Sequence, residues 1–134
     1  MSSTVLLADS ERAAELAAKL SLPDHDVVWY TSLEELVRKQ PLSSISVLVV
    51  HSEHQPKGVM LAALGRMSVE YPGMQKVAVI EGTPPLPIAE YLTACGVALF
   101  LTQPVEERMD QLISIVDRMH ERRQWIAGAG EQEA

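Results

Sequence analysis

Short, uninterrupted runs of apolar residues recur along this chain and alternate with segments in which apolar residues return every three or four positions. The most uniform run is Ile45–Val50, six uncharged residues of which four are β-branched. A run of this kind is typical of a strand that is buried on both faces of a parallel sheet. Similar runs predict four further strands, at 5–8, 26–30, 77–80 and 97–101.

The segments between these runs have the apolar spacing of helices. They predict helices within 11–22, 33–40, 55–71, 88–94 and 105–126. Ser32, with Glu35 three residues later, is a capping box that predicts a helix start. Three prolines within Thr83–Pro87 predict a stiff, extended loop, and Gly96 is expected to end the short helix that follows it.

The strict alternation of strands and helices predicts an α/β fold, a doubly wound five-stranded parallel sheet in a three-layer sandwich. The order 2-1-3-4-5 is the expected one for five strands with one reversal of winding. Strands one and three then lie side by side, which brings Asp9, Ser10 and His51 together. Glu81 and Gln103 end strands four and five. We therefore expect these five polar side chains, the strand-end rim, to converge at one edge of the sheet.

Composition limits the classes of function. The chain has 134 residues and a net charge of −7, which suits one globular domain and disfavours direct binding of nucleic acid. We expect this domain at 1–127 and a disordered acidic tail at 128–134. Cys95 is the single cysteine, and no apolar run approaches the ~18 residues of a membrane span. These features predict a soluble cytoplasmic protein that does not associate with a membrane.

The four strand ends carry segments whose spacing, 30 residues from His51 to Glu81 and 22 from Glu81 to Gln103, is that of a known family. They resemble receiver domains of two-component response regulators, and the resemblance extends to about residue 122. It implies a flavodoxin-like fold with a phosphorylation site at the rim. The matching segments are Ala8-Asp9-Ser10-Glu11, Val49-Val50-His51, Val79-Ile80-Glu81-Gly82 and Leu101-Thr102-Gln103-Pro104.

The departures from the family pattern concern the groups that carry its chemistry. Only Asp9 is retained, whereas His51 replaces the phosphorylated Asp and Ser10 replaces the second acidic residue. Glu81 stands in place of the hydroxyl residue, and Gln103 in place of the lysine. Aspartyl phosphorylation requires a carboxylate nucleophile and a divalent cation to offset the phosphoryl charge. The sequence therefore resembles a pseudo-receiver without the family's phosphorylation chemistry.

Other uses of the same residues are weaker alternatives. His51 could accept a phosphoryl group, or Asp9, His51 and Glu81 could bind a metal or small ligand, against the simpler interpretation of a structural histidine. Flavin mononucleotide binding is disfavoured because the segment after strand one has no glycine and two acidic residues. A hydrolase triad of Asp9 and His51 with Ser10 or Ser52 lacks the expected nucleophile motif.

The resemblance directs attention to surfaces. Phe100 stands where receivers often have a mobile aromatic residue, and Tyr91, Phe100 and Trp125 are the expected contact residues. We expect a non-enzymatic signalling module without cofactor or metal, which binds a protein partner and forms a homodimer through the fourth and fifth helices. It could be the N-terminal regulatory domain of a transcription regulator. The alternative is a small-ligand or metal sensor at Asp9, His51 and Glu81.

Overall fold

Strand β3 lies at the centre of a five-stranded parallel sheet whose order, β2-β1-β3-β4-β5, is the predicted one. The computed structural model describes residues 3–8, 13–20, 27–52, 57–102 and 105–133. All eight residues of β3 are buried, as its uninterrupted apolar run predicts. The strands are β1 (Ser3–Ala8), β2 (Val27–Tyr30), β3 (Ile45–Ser52), β4 (Gln75–Glu81) and β5 (Val97–Thr102).

Helices cover both faces of the sheet, which gives the predicted three-layer, flavodoxin-like arrangement. On one face, α2, α3 and α4 pack around a core that includes Leu36, Leu64 and Leu92. On the other, α1 and α5 pack around a second core, with Leu20 and Leu112. The helices are α1 (Ala13–Lys19), α2 (Leu33–Lys39), α3 (Gly58–Glu70), α4 (Leu86–Ala94) and α5 (Met109–Glu133), with 3₁₀ turns at Leu42–Ser44 and Val105–Arg108.

Local signals set several of these boundaries. The capping box is present, since the Ser32 hydroxyl accepts a hydrogen bond from the Glu35 amide at 3.1 Å. Gly96 follows the end of α4 with φ of +76°, a left-handed conformation that glycine adopts without steric cost. The extended loop before α4 is shorter than predicted, however. Pro87 lies in the first turn of α4, where a missing backbone N–H leaves no hydrogen bond unmade.

The last helix differs from the prediction at both ends. The segment Val105–Arg108 is a 3₁₀ turn, and α5 proper begins at Met109 and continues to Glu133. The expected disordered tail at 128–134 and the domain limit at 127 stay predictions. None of the described helices combines the length and the apolar character needed to cross a lipid bilayer.

Candidate functional site

The carboxyl ends of the strands form the edge at which a functional site is expected. In the sheet register His51 lies between Ala8 of β1 and Val79 of β4, and Val79 in turn pairs with Phe100 of β5. Glu81 lies two residues beyond this row, at the end of β4, where it pairs with Thr102. Parallel strands thus bring residues that are distant in sequence to one edge.

His51 and Glu81 are in contact at this edge. The Nε2 atom of His51 lies 3.3 Å from Oε1 of Glu81, and the side chains are 1% and 10% exposed. The contact is electrostatic rather than an aligned hydrogen bond, because neither ring nitrogen of His51 has a hydrogen-bond partner among the described residues. A protonated imidazole would form an ion pair with the Glu81 carboxylate here.

On the α1/α5 face of the sheet, the described side chains around the His51 ring are otherwise apolar. Its ring lies on the α1/α5 face of the sheet, beside a small void lined also by Leu6, Val79 and Leu112. A buried polar ring without hydrogen bonds is disfavoured, so the neighbouring carboxylate of Glu81 is its principal polar contact among the described residues. The arrangement suits a structural histidine rather than an exposed nucleophile or phosphoryl acceptor.

The other predicted rim residues, Asp9, Ser10 and Gln103, lie outside the described residues, so only the approach of His51 to Glu81 is established. Within the part of the chain that the structure describes, no group of three or more His, Cys, Asp or Glu side chains is placed to hold a metal ion. A metal site that includes Asp9 stays a prediction.

Phe100, the predicted mobile aromatic residue, is 4% exposed in this structure. The guanidinium of Arg108 lies over its ring, 4.6 Å from the ring centre, in a cation–π contact. Arg108 also donates hydrogen bonds to the Leu101 carbonyl at 2.6 Å and to Gln111 at 2.7 Å. The exposed group at this position is therefore Arg108, which the sequence analysis did not identify. A basic residue eight positions after the aromatic one, at the start of the last helix, was the available signal.

Tyr91, predicted as a contact residue, is 40% exposed and also has a structural role. Its hydroxyl donates a hydrogen bond to the carbonyl of Leu61 in α3, at 2.8 Å. The Tyr91 ring covers Gly65 so closely that a Cβ atom at position 65 would collide with the hydroxyl oxygen. Partial desolvation, and after it the neighbouring Cys95 thiol, raise the pKa of Tyr91. Tyr91 therefore fixes α4 against α3.

Two further contacts at the α3/α4 face were not anticipated. The Ser68 hydroxyl of α3 lies within hydrogen-bond distance of the carbonyls of Leu64 and Cys95, and so joins α3 to the end of α4. Lys76 is 4% exposed and donates to the Met74 carbonyl at 3.1 Å. Burial lowers the pKa of Lys76, and the Cys95 thiol partly opposes this shift. Trp125, the third expected contact residue, lies on α5 beyond the described side chains.

Comparison with solved structures shows the same architecture elsewhere. One similar structure is that of a protein provisionally assigned to pilus assembly in Burkholderia pseudomallei, with a TM-score of 0.68, 21% identity, and coverage of 89% of this chain and 90% of the other. Another is a protein named cpaE, provisionally a pilus assembly protein, from Burkholderia thailandensis. Its TM-score is 0.68 and its identity 18%, and the match covers 90% of this chain and 99% of the other.

These similarities establish the fold over almost the whole length of each chain, and at such identities they establish the fold alone. The sequence matches no protein-family model and no curated protein.

Proposed function

We propose that this chain is a receiver-like signalling module of a pilus assembly system, which acts by protein–protein contact and without aspartyl phosphorylation. The observation that carries the proposal is the buried pair of His51 and Glu81 at the end of β3 and β4. The position that would hold a phosphoryl acceptor is occupied by an imidazole, which offers no carboxylate for an acyl phosphate.

The charge at this edge also opposes phosphoryl transfer. A phosphoryl group close to His51 would approach the carboxylate of Glu81. Two unit negative charges 4 Å apart repel each other by about 4 kcal/mol at an effective dielectric constant of 20. A non-enzymatic role without a cofactor is part of the same proposal.

The link with pilus assembly comes from the two similar structures, whose names place those proteins in that process. A cytoplasmic location, a homodimer and a signalling partner are parts of the same proposal. A regulatory domain of a transcription regulator would use the same fold and surface with a different output. The sensor alternative, at Asp9, His51 and Glu81, has one supporting contact, that between His51 and Glu81.

Phosphorylation can be tested directly. The protein is incubated with acetyl phosphate and Mg²⁺, and separately with beryllofluoride and Mg²⁺, and is examined by intact-mass spectrometry and thermal unfolding. A phosphorylatable receiver domain treated in parallel is the positive control. We expect no added phosphoryl mass and no change in Tm. Specific binding of either compound would stabilise the folded state and raise Tm. Incorporation of phosphate that the substitution His51→Ala abolishes would refute the proposal.

The surface formed by α4, β5 and α5 can be tested by light scattering over a range of protein concentrations. Leu86 and Leu101 are exposed there, at 69% and 39%. We expect the mass to rise towards that of a dimer, and Leu86→Glu or Leu101→Glu to keep the protein monomeric. Val37→Glu is the matched control, since Val37 is 54% exposed on α2. A monomer mass at every concentration would exclude the homodimer.

A further inference from the structure

A cavity of about 170 Å³ opens on the α2/α3 face of the sheet, where β1, β2 and β3 end. Its walls include Leu33, Val50 and Met60, so most of its interior is apolar. Four further polar residues, Thr31, Ser32, Ser52 and Lys57, line it as well. His51 also contributes to the lining, although its imidazole contacts the Glu81 carboxylate on the opposite face of the sheet.

Ser52 is the first of two observations that point to a ligand. Ser52 is 5% exposed and lines the cavity, and its hydroxyl makes no hydrogen bond to another described residue, so it is open to the cavity. A hydroxyl that faces a cavity in this way can bond to water or to a polar atom of a bound molecule. An acceptor atom of a bound molecule would satisfy it.

The start of α3 is the second observation. Lys57 is the N-cap residue and makes no side-chain cap. The amides of Met60 and Leu61 are the first in α3 that donate to the Lys57 carbonyl. The amides of Gly58 and Val59 come before them and therefore have no acceptor within the helix. The positive end of a helix dipole and an ammonium group thus meet at the cavity, and no ion pair of Lys57 occurs within the described part of the chain.

We propose that this cavity binds a small organic carboxylate, with the carboxylate between Ser52, Lys57 and the first amides of α3, and an apolar group among Leu33, Val50 and Met60. The cavity is close in size to one of about 150 Å³ that holds benzene in another protein. A single negative charge is favoured over two, because the chain has a net charge of −7 and the Glu35 carboxylate lies 3.5 Å from the Thr31 hydroxyl.

Three probes separate the parts of this proposal. Benzoate carries both the charge and the apolar ring, benzamide keeps the ring without the charge, and inorganic phosphate carries charge without the ring. Each is titrated into the ¹⁵N-labelled full chain and followed by two-dimensional NMR. We expect benzoate to bind with a Kd on the order of 1 mM, as suits a ligand of so few atoms. The amide shifts are expected to be largest at Ser52, Gly58 and Val59.

Two variants with a matched control test the polar contacts. Ser52→Ala removes the hydroxyl and is expected to weaken benzoate binding about fivefold, the usual effect of one hydrogen bond. Lys57→Gln is expected to weaken it about threefold and to leave benzamide unaffected. Lys19→Gln removes the same charge from α1, on the opposite face of the sheet, at a lysine that pairs with Glu15, and is expected to leave benzoate binding unchanged.

The proposal is overturned if no probe gives saturable shifts by about 20 mM. It is also overturned if the shifts map to residues away from the cavity, or if benzamide binds as tightly as benzoate. Phosphate binding equal to that of benzoate would show that the apolar walls contribute nothing, and would refute the proposed ligand class.

Discussion

Gly65 and Tyr91 form a contact whose energetic coupling can be predicted in sign as well as size. A glycine inside a helix normally destabilises it, and replacement by alanine at an exposed site gains about 1 kcal/mol of helix propensity. Gly65 lies inside α3 but beneath the Tyr91 ring, with no room for a Cβ atom under the hydroxyl. The gain from alanine should therefore depend on whether that hydroxyl is present.

The magnitudes follow from the contacts. In Gly65→Ala, Tyr91 must move, which loses its 2.8 Å hydrogen bond to the Leu61 carbonyl, a loss of about 1 kcal/mol. The propensity gain and this loss nearly cancel, so the free energy of unfolding should change by less than about 0.5 kcal/mol. In Tyr91→Phe the hydroxyl is gone, and the next ring atom lies 3.5 Å from the position of the new Cβ, an ordinary contact. There Gly65→Ala should raise the free energy of unfolding by about 1 kcal/mol.

Urea unfolding of the parent, both single variants and the double variant, followed by circular dichroism, completes a double-mutant cycle. We expect a coupling energy of about 1 kcal/mol, with Tyr91→Phe alone less stable than the parent by a similar amount. Gly65→Ser is a useful companion, because it also adds a Cβ atom and should show the same dependence on Tyr91. Additive effects of the two substitutions, with no coupling, would refute the proposed packing of α4 on α3.

Two further predictions concern buried polar groups in the sheet. Thr4 is fully buried and its hydroxyl has no partner among the described residues, so Thr4→Val should raise the free energy of unfolding by about 1 kcal/mol. Thr4→Ser keeps the hydroxyl and loses a methyl group, so it should lower the free energy of unfolding by about 1 kcal/mol. A urea midpoint for Thr4→Val below that for Thr4→Ser would contradict this prediction. Lys76 has a lowered pKa in the folded state, so the unfolded chain binds the proton more tightly and stability increases as pH rises through that pKa towards 10.5. Lys76→Met should lack this increase. Both proteins carry Cys95→Ser, which removes the titration of the thiol. Equal dependence of stability on pH with Lys76 and with Met at this position would exclude a desolvated ammonium.

The fold was predictable because its signals are local and repeated. The run Ile45–Val50 has the composition of a central parallel strand, and it is one. The capping box at Ser32 and the glycine after α4 mark helix ends through hydrogen bonds within a few residues. Pro84, Pro85 and Pro87 together predict a loop, yet Pro87 lies in α4. In the first turn of a helix, however, a single proline loses no hydrogen bond.

The site was predictable only in part, because strand ends set position but not side-chain contacts. Topology brought His51 and Glu81 to one edge, as expected, and the structure adds their 3.3 Å contact. The position of Arg108 over Phe100, and of Tyr91 over Gly65, depends on how two elements pack, and no spacing within either element encodes it. That Ser52 faces a cavity likewise depends on how α2 and α3 pack on the sheet.

The contacts around α4 bear on how such a module could act without phosphate. The hydrogen bond from Tyr91 to Leu61 joins the middle of α4 to α3, and that from Ser68 to the Cys95 carbonyl joins its end. Arg108 covers Phe100 on the neighbouring strand. Within the described part of the chain, none of these three contacts involves His51 or Glu81. Under the proposed function, a surface held in this way would bind its partner in a single state, as expected of an interaction module rather than of a phosphate-driven switch.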